Sequence, residues 1–407
     1  MTSRGQEIDR RRVLRLMGAG LVTGAVAPWL ASCSSDDGGG AAASSTTTTT
    51  AATTTTAPRP LGPLGEVDAN GLRLPEGFTS RIVARSGEEV AGTGYAWHGN
   101  PDGGACFATD DGGWIYVSNC EELDTGGVSM VRFDAEGEIV EAASICEGTD
   151  VNCAGGATPW DTWLTCEEVA GGQVWETDPW GVEAAVARPA MGRFKHEAAA
   201  VDEAAEVVYL SEDEPDGALY RFTPSSWPDL SEGALHVLAG AEGSRRWAEV
   251  PDPSGTSGPT RNQVADVVRF AGGEGLAHFE GTTYLATKLD NRIWALDGED
   301  VTVLYDGATT DVAEDGQPLL TGVDNICVDS RGDRYVAEDG GTMDVVRLAV
   351  DGTIEAVARV EGVEGSEITG PAFSPDGTRL YFSSQRSPGV TYEVTGPFPH
   401  AAQGPHK

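Results

Sequence analysis

The feature that most constrains this chain is a strand motif that recurs six times, in which an aromatic residue opens a short apolar strand that ends in polar residues. The six copies begin at Tyr116, Trp163, Tyr209, Tyr284, Tyr335 and Tyr381. A partner strand of small or apolar residues precedes each copy, and turn sequences such as Asp110-Asp111-Gly112 join strands of this kind. Repeats of about 40 to 50 residues with several short strands are typical of blades that cannot bury their faces alone.

We therefore expect an all-β fold, a six-bladed β-propeller formed by residues 66–400, with the inner strands lining a central channel. The segment Arg81-Ile82-Val83-Ala84 is expected to supply the outer strand of the last blade and so close the ring. Residues 226–264 are expected to form an insertion in blade three. A solenoid built from the same repeats is the structural alternative.

Residues 1–33 have the pattern of a twin-arginine lipoprotein signal peptide. Arginines precede an apolar run, and Leu30-Ala31-Ser32-Cys33 follows it as a lipobox-like cleavage site. A permanent anchor helix is the alternative, but it would not need a cysteine there. We expect export by the twin-arginine route and a lipid anchor at Cys33 on the outer face of the cell membrane.

Two further segments are predicted to lie outside the fold, and the charge of the chain limits its partners. Residues 34–65 are rich in Ser, Gly, Ala and Thr and are expected to form a disordered linker, while residues 401–407 form a C-terminal tail. With 64 acidic against 27 basic residues, the formal charge is -37. This charge disfavours nucleic-acid binding and leaves the lipid anchor as the expected membrane contact.

Acidic residues recur where the first two strands of successive blades meet the channel. They include His196-Glu197, Glu274 and Asp324-Asn325 near the first strands, and Glu121, Cys166-Glu167-Glu168, Glu212-Asp213, Asp290-Asn291 and Glu338-Asp339 after the second strands. Carboxylates that converge on one axis either protonate or hold cations, so a metal-binding channel is predicted. A single structural calcium ion is the alternative, but calcium has no use for the Cys166 thiolate.

At these residues the sequence resembles the PhoX-type alkaline phosphatases. The matching stretches are 161–168, 192–198, 211–217, 287–294 and 324–329. The resemblance implies a monomeric propeller that hydrolyses small phosphomonoesters with iron and calcium ions, with Cys166 as the thiolate ligand. The candidate metal ligands are Cys166, Glu167, Glu168, His196, Glu197, Glu212, Asp213, Glu274, Asp290, Asn291, Asp324, Asn325 and Glu338.

Cationic side chains near the same mouth are the candidates for binding phosphate. They are Lys288 and Arg292 in blade four, with Arg386 in blade six as a third. A serine nucleophile elbow and a Gly-rich phosphate loop are both lacking in the sequence, which agrees with metal-assisted hydrolysis. Blade one offers Asn119-Cys120-Glu121 and blade six ends Ser383-Ser384-Gln385-Arg386, and both depart from the family pattern.

Two other functions and the cysteine pairing stay open at this point. A calcium-dependent propeller lactonase or esterase, and a non-catalytic metal-stabilised binding propeller on the cell surface, share the blade pattern. Cys146 and Cys153 are close enough in sequence to form a disulfide, as are Cys106 and Cys120 at the ends of one hairpin. Cys327 reads as a buried free thiol.

Overall fold

The repeats fold into six antiparallel sheets, as seen in a computed structural model that describes residues 60–310, 320–363, 365–386 and 388–399. The predicted signal peptide at 1–33, the linker residues before 60 and the tail at 401–407 lie outside the described residues. Within the described ranges, no helix has the length and apolar character that a membrane crossing requires.

Each sheet is one blade, and its strands follow one another from the channel outward. Blade one contains β3 (Pro101–Ala108), β4 (Trp114–Cys120), β5 (Gly126–Phe133) and β6 (Ile139–Thr149); blade two contains β7 (Asn152–Ala157), β8 (Trp163–Glu167), β9 (Val174–Thr177) and β10 (Val186–Ala187). Blade three contains β11 (His196–Asp202), β12 (Val207–Glu212), β13 (Leu219–Ser226), β14 (Asp229–Ala239) and β15 (Arg246–Glu249).

The second half of the ring repeats this order, and two strands from the beginning of the described chain join it. Blade four contains β16 (Gly273–Phe279), β17 (Thr282–Thr287), β18 (Arg292–Asp297) and β19 (Asp300–Asp306); blade five contains β20 (Val323–Val328), β21 (Arg334–Glu338), β22 (Asp344–Leu348), β23 (Ile354–Val360) and β1 (Leu72–Arg73); blade six contains β24 (Ile368–Phe373), β25 (Arg379–Ser384), β26 (Val390–Thr395) and β2 (Thr79–Arg85).

The inner strands β3, β7, β11, β16, β20 and β24 contact one another in a closed circle. The predicted six-bladed β-propeller is therefore confirmed, and the solenoid alternative is wrong. The six aromatic residues that defined the repeat all lie in the second strand of their blade. They pack between sheets: the rings of Tyr116 in blade one and Tyr381 in blade six stack with centroids 4.9 Å apart.

The chain closes the ring as the sequence predicts, because β2 pairs with β26 as the outer strand of blade six. Arg81 on β2 also forms an ion pair with Glu393 on β26 at 2.6 Å. The short strand β1 adds an edge to blade five, which the sequence did not predict. Residues 60–65, which the sequence assigns to the linker, lie against the propeller, since Leu64 forms a β-bridge with Pro75.

Blade three carries extra chain, although not where the sequence placed its start. Residues 226–239 complete the regular β13–β14 hairpin, and β15 extends the sheet by a fifth strand. A loop between β15 and β16 then returns to the channel mouth through a short 3-10 helix at Thr260–Asn262. From that helix Arg261 forms an ion pair with the fully buried Glu212 at 2.8 Å.

Candidate metal centre

Every inner strand carries a β-bulge at the same repeat position. The register of each blade shifts by one residue where two residues of the inner strand face one residue of the second strand. A bulge of this kind re-aims the side chain that it carries. The first bulge residues form a set that we call the bulge ring: Asp102, Cys153, Glu197, Glu274, Asp324 and Gly370.

A second set of equivalent positions follows the last residue of each second strand. In all six blades this residue donates its backbone N–H to the carbonyl of the residue that precedes the inner strand, which extends the ladder by one pair. We call these residues the exit ring: Glu121, Glu168, Asp213, Lys288, Asp339 and Gln385. The residue that precedes the inner strand, whose carbonyl accepts this bond, contributes two further charged groups, Lys195 in blade three and Glu367 in blade six.

The two rings bring metal-ligating atoms together in three groups, in each of which one ligand atom per residue lies within 4.8 Å of the others. The groups are Glu197, Glu274 and Asp324; Glu121, Cys153 and Glu168; and Asp102, Glu121 and Glu367. Glu121 belongs to two of them. The Sγ of Cys153 lies 3.2 Å from Oε1 of Glu197 and so connects the second group to the first.

Burial without compensation makes these carboxylates costly as anions. Burial raises the pKa of Glu197 and of Glu274 well above the usual range, and neighbouring carboxylates add to the effect. Burial also raises the pKa of Asp324 to about 8, although Lys288 opposes it. Oε2 of Glu197 is buried and has no hydrogen-bond partner among the described residues. A cation would supply the missing partner and the missing charge, so the residues present fit a metal centre.

The channel mouth also carries three cationic side chains, each paired with a ring carboxylate. Lys195 lies 2.7 Å from Glu168 and 2.9 Å from Asp213, and Lys288 lies 2.7 Å from Glu274. Arg386 pairs with Glu367 and remains 43% exposed. These cations offset part of the negative charge of the buried carboxylates, and their side chains are partly exposed.

Comparison with known families identifies the chain at this point. The profile of the alkaline phosphatase PhoX family matches residues 125–177, 170–279 and 279–389, which is more than half of the 407 residues. The chain belongs to the alkaline phosphatase PhoX family. It is therefore a phosphoric monoester hydrolase, as the sequence predicts. Among curated proteins, no sequence match was found.

Solved structures agree on the fold. A structure of Pseudomonas fluorescens PhoX in complex with vanadate, a transition state analogue, superposes with a TM-score of 0.69 at 16% identity, over 84% of this chain and 99% of that one. A Bacteroides thetaiotaomicron protein of unknown function superposes with a TM-score of 0.53 at 10% identity, over 78% of this chain and 76% of the other. At these identities the superpositions show the fold alone.

The sequence-predicted ligands divide into those the channel brings together and those it does not. Glu168, Glu197, Glu274 and Asp324 lie in the three groups. Asn325 is the second bulge residue of blade five, and its amide donates to Asp324 at 3.0 Å. Asp213 lies in the exit ring but contacts two lysines.

The position of Cys166 corrects the expectation that it is the thiolate ligand. It faces the bulge of blade two from the second strand, and its side chain is fully buried in an apolar cluster with Leu164, Val174 and Leu210. Burial raises the pKa of its thiol. The thiol that meets the carboxylates is that of Cys153. All six described cysteines are free, so the two disulfides considered from the sequence are not formed.

Glu167, Glu212 and Glu338 also lie outside the three groups, and for one shared reason. Each is the last residue of its second strand, and its carboxylate accepts backbone N–H groups at the start of the third strand. Glu338, for example, accepts from the N–H groups of Thr321, Thr342 and Asp344. These glutamates therefore hold the turns of the blades, and the ligand position is the next residue along the chain.

The remaining predicted site residues have structural contacts outside the three groups. His196 is buried, its Nε2 lies 3.1 Å from the Gly192 carbonyl oxygen, and burial lowers its pKa to about 3. Asn291 donates to the Leu320 carbonyl, and Asp290 accepts from Thr287. Arg292 pairs with Asp290 and Asp306, which directs it along blade four and not into the channel.

Several residues around the centre were not among the site residues that the sequence predicted. They are Asp102, Glu121, Cys153, Lys195, Asp339, Glu367 and Gln385. Aligning the inner strands on their small residues would have found part of this set, because Asp102-Gly103, Cys153-Ala154 and Glu197-Ala198 occupy one repeat position.

The raised carboxylate pKa values predict how metal-free protein responds to pH. In unfolded chain the carboxyl groups titrate near pH 4, whereas burial raises the pKa of Asp324 to about 8 and that of Glu367 to about 9. The unfolded state therefore loses protons first, and the thermal midpoint of chelator-stripped protein should fall as pH rises from about 4 to about 9.

Two variants separate this effect from the general acidity of the chain. Glu197→Gln removes one buried acid and should flatten the pH dependence, whereas Glu203→Gln, at an exposed turn, should leave it unchanged. Scanning calorimetry across the pH range measures both. A metal-free midpoint that rises over this range would contradict the assignment.

The two cysteines of blade two allow a matched test of the thiol. Cys153→Ser should lower the metal content of reconstituted protein, because the thiolate donor is lost from the group with Glu121 and Glu168. Cys166→Ser should retain the metals, because Cys166 lies in the apolar interior. Elemental mass spectrometry measures the metals per chain. Loss of metal in Cys166→Ser alone would reverse the correction.

Proposed function

We propose that this phosphatase works through iron and calcium ions held by the channel groups, and that its substrates are small phosphomonoesters. The observation that carries the proposal is the convergence of Glu197, Glu274 and Asp324, three buried carboxylates with ligand atoms within 4.8 Å of one another. Anions so placed need cations to stay ionised.

The donor types suggest how the ions are divided. The group with Cys153 combines a thiol with the carboxylates of Glu121 and Glu168, a mixture that suits a transition ion such as iron. The group of Asp102, Glu121 and Glu367 offers oxygen atoms alone, which suits calcium. When bound, such ions neutralise phosphate charge and lower the pKa of a coordinated water.

The side chains of the chain itself would bind and orient the phosphate. Lys288 and Lys195 lie at the mouth with 30% and 31% of their side chains exposed, and both reach ring carboxylates. Burial alone would lower the pKa of Lys288, but Glu274 and Asp213 outweigh it and raise the pKa, so this amine stays charged. A charged amine beside the metal groups can donate hydrogen bonds to phosphate oxygens.

Arg386 is the third candidate for phosphate binding, on the opposite side of the mouth. Its guanidinium pairs with Glu367 and lies 3.7 Å from Glu121, and much of it is exposed. Arg292, by contrast, is satisfied by Asp290 and Asp306. We therefore retain Lys288 and Arg386, add Lys195, and remove Arg292 from the phosphate site.

We also propose that the protein is exported by the twin-arginine route, anchored through a lipid on Cys33, and monomeric. The support is the arginine-rich segment ahead of an apolar run and the cysteine that ends it. Free cysteines at 153 and 166 agree with a protein that folds around its metals before export. Radial repetition of the blades leaves only short outer edge strands, which agrees with a monomer.

The proposed function predicts hydrolysis of p-nitrophenyl phosphate at alkaline pH by protein folded with iron and calcium. Chelation should abolish the activity, because the buried carboxylates then lose their counter-charge, and re-addition of both metals should restore it. Release of p-nitrophenol, followed by absorbance, measures the rate. Full activity in metal-free, folded protein would contradict the proposal.

Two basic residues of blade four provide a matched pair for the phosphate contact. Lys288→Ala should weaken inhibition by inorganic phosphate by about 10-fold or more, as expected for loss of a hydrogen bond between charged groups. Arg292→Ala should leave it unchanged, since Arg292 pairs with Asp290 and Asp306. Inhibition constants and metal content are measured together. If Lys288→Ala lost metal while phosphate inhibition stayed unaltered, Lys288 would support the metal ligands and would not bind phosphate.

A further inference from the structure

Blade six differs from the other five blades because its bulge position carries no ligand. Gly370 has a φ of +60°, and an added Cβ would lie 2.5 Å from the backbone oxygen of Asp102. Its N–H donates to Oδ1 of Asn325 at 2.6 Å. A side chain at this position would therefore be both strained and crowded, so blade six must contribute to the channel from elsewhere.

Gln385 occupies the exit-ring position of blade six, where the first, second, third and fifth blades place Glu121, Glu168, Asp213 and Asp339. Its backbone N–H donates to the Glu367 carbonyl, which fixes the residue beside that acid. Its side chain is fully buried, and Nε2 donates to Oδ2 of Asp102 and to Oε2 of Glu121. The amide thus contacts two of the three acids of one group, Asp102 and Glu121, and the backbone of Gln385 is bonded to that of the third, Glu367.

The other end of the amide has no partner. Oε1 of Gln385 is buried and accepts no hydrogen bond from any described residue. Leaving a buried amide oxygen unpaired is unfavourable, because the oxygen loses its hydrogen bonds to water and gains none in return. A rotation of the terminal torsion by about 180° exchanges the oxygen and nitrogen with little change in shape. The oxygen would then face the carboxylates of Asp102 and Glu121.

We propose that Gln385 is a calcium ligand, whose side-chain oxygen completes an all-oxygen site with Asp102, Glu121 and Glu367. In the structure its NH₂ group donates to the carboxylates of Asp102 and Glu121, the position that the ion would occupy. A cation repels that NH₂ group, so binding turns the amide and satisfies the orphaned oxygen. Because Gln385 is neutral, the site has four ligands but only three carboxylates. The number of charged ligands is one of the factors that set calcium affinity.

This inference rests on the proposed function, since it assigns a residue to one of the proposed ions. It accounts for the glutamine in blade six, a departure already visible in the sequence. The exit ring tolerates a neutral residue there because Glu367, from the preceding position, supplies the acid that blade six would otherwise lack. Gln385 and Glu367 together replace the ligand that Gly370 cannot provide.

The test uses the chelator-stripped full chain, titrated with calcium in an isothermal calorimeter. Gln385→Leu keeps the volume but removes the oxygen, and should weaken one calcium site by about 10-fold or more while the other sites are retained, a loss like that of a supporting metal contact. Gln385→Glu should bind calcium at that site at least as tightly as the wild type.

A control and a second readout keep the outcome decisive. Gln173→Leu removes a glutamine that accepts from Arg193 outside the three groups, and should leave every calcium affinity unchanged. If Gln385→Leu does not fold, Gln385→Glu still tests the site. Calcium should then raise the thermal midpoint of Gln385→Glu by more than it raises the thermal midpoint of the wild type.

Calcium affinities unchanged in Gln385→Leu, or weakened in Gln385→Glu, would overturn the inference. Neither result would affect the proposed function, which depends on metal-dependent hydrolysis of p-nitrophenyl phosphate by the wild type. Inactive wild-type protein that still shows the predicted calcium effects would instead reject the proposed function and retain the role of Gln385.

Discussion

The structure depends on one electrostatic constraint, the burial of several carboxylates around a common axis. Five of the six β-bulges turn side chains of the inner strands toward the channel, where Glu197, Glu274 and Asp324 meet away from solvent. Three lysine and arginine side chains offset part of this charge from the mouth. The remainder requires bound cations or protonated acids. Because the chain belongs to the alkaline phosphatase PhoX family, this arrangement of acids lies in a phosphoric monoester hydrolase.

The fold was predictable because its signal is repeated. An aromatic residue such as Tyr116 or Tyr381 must lie in the second strand of a blade to fill the space between sheets, and six such strands can bury their faces only in a ring. The strand that closes the ring was predictable for the same reason, since the last blade needs an outer partner. The short strand β1 was not, because two residues carry too little pattern to be recognised.

In several blades the site was predictable to within one residue, and that residue decides which way a side chain points. Successive residues of a strand face opposite sides, so Glu167 holds a turn whereas Glu168 joins the metal groups. The bulge adds a further residue on the inner strand only, which sequence patterns do not reveal. For this reason Cys153 reaches the acids, while Cys166, opposite it on the next strand, lies among apolar side chains.

Anomalous X-ray diffraction from crystals grown with iron and calcium tests the central claim most directly, because it locates each ion and distinguishes iron from calcium. Our account predicts an iron peak beside Sγ of Cys153 and calcium within the group of Asp102, Glu121 and Glu367. A folded protein whose channel contains water alone, with the three groups otherwise as described, would mean that the acids remain protonated and would contradict it.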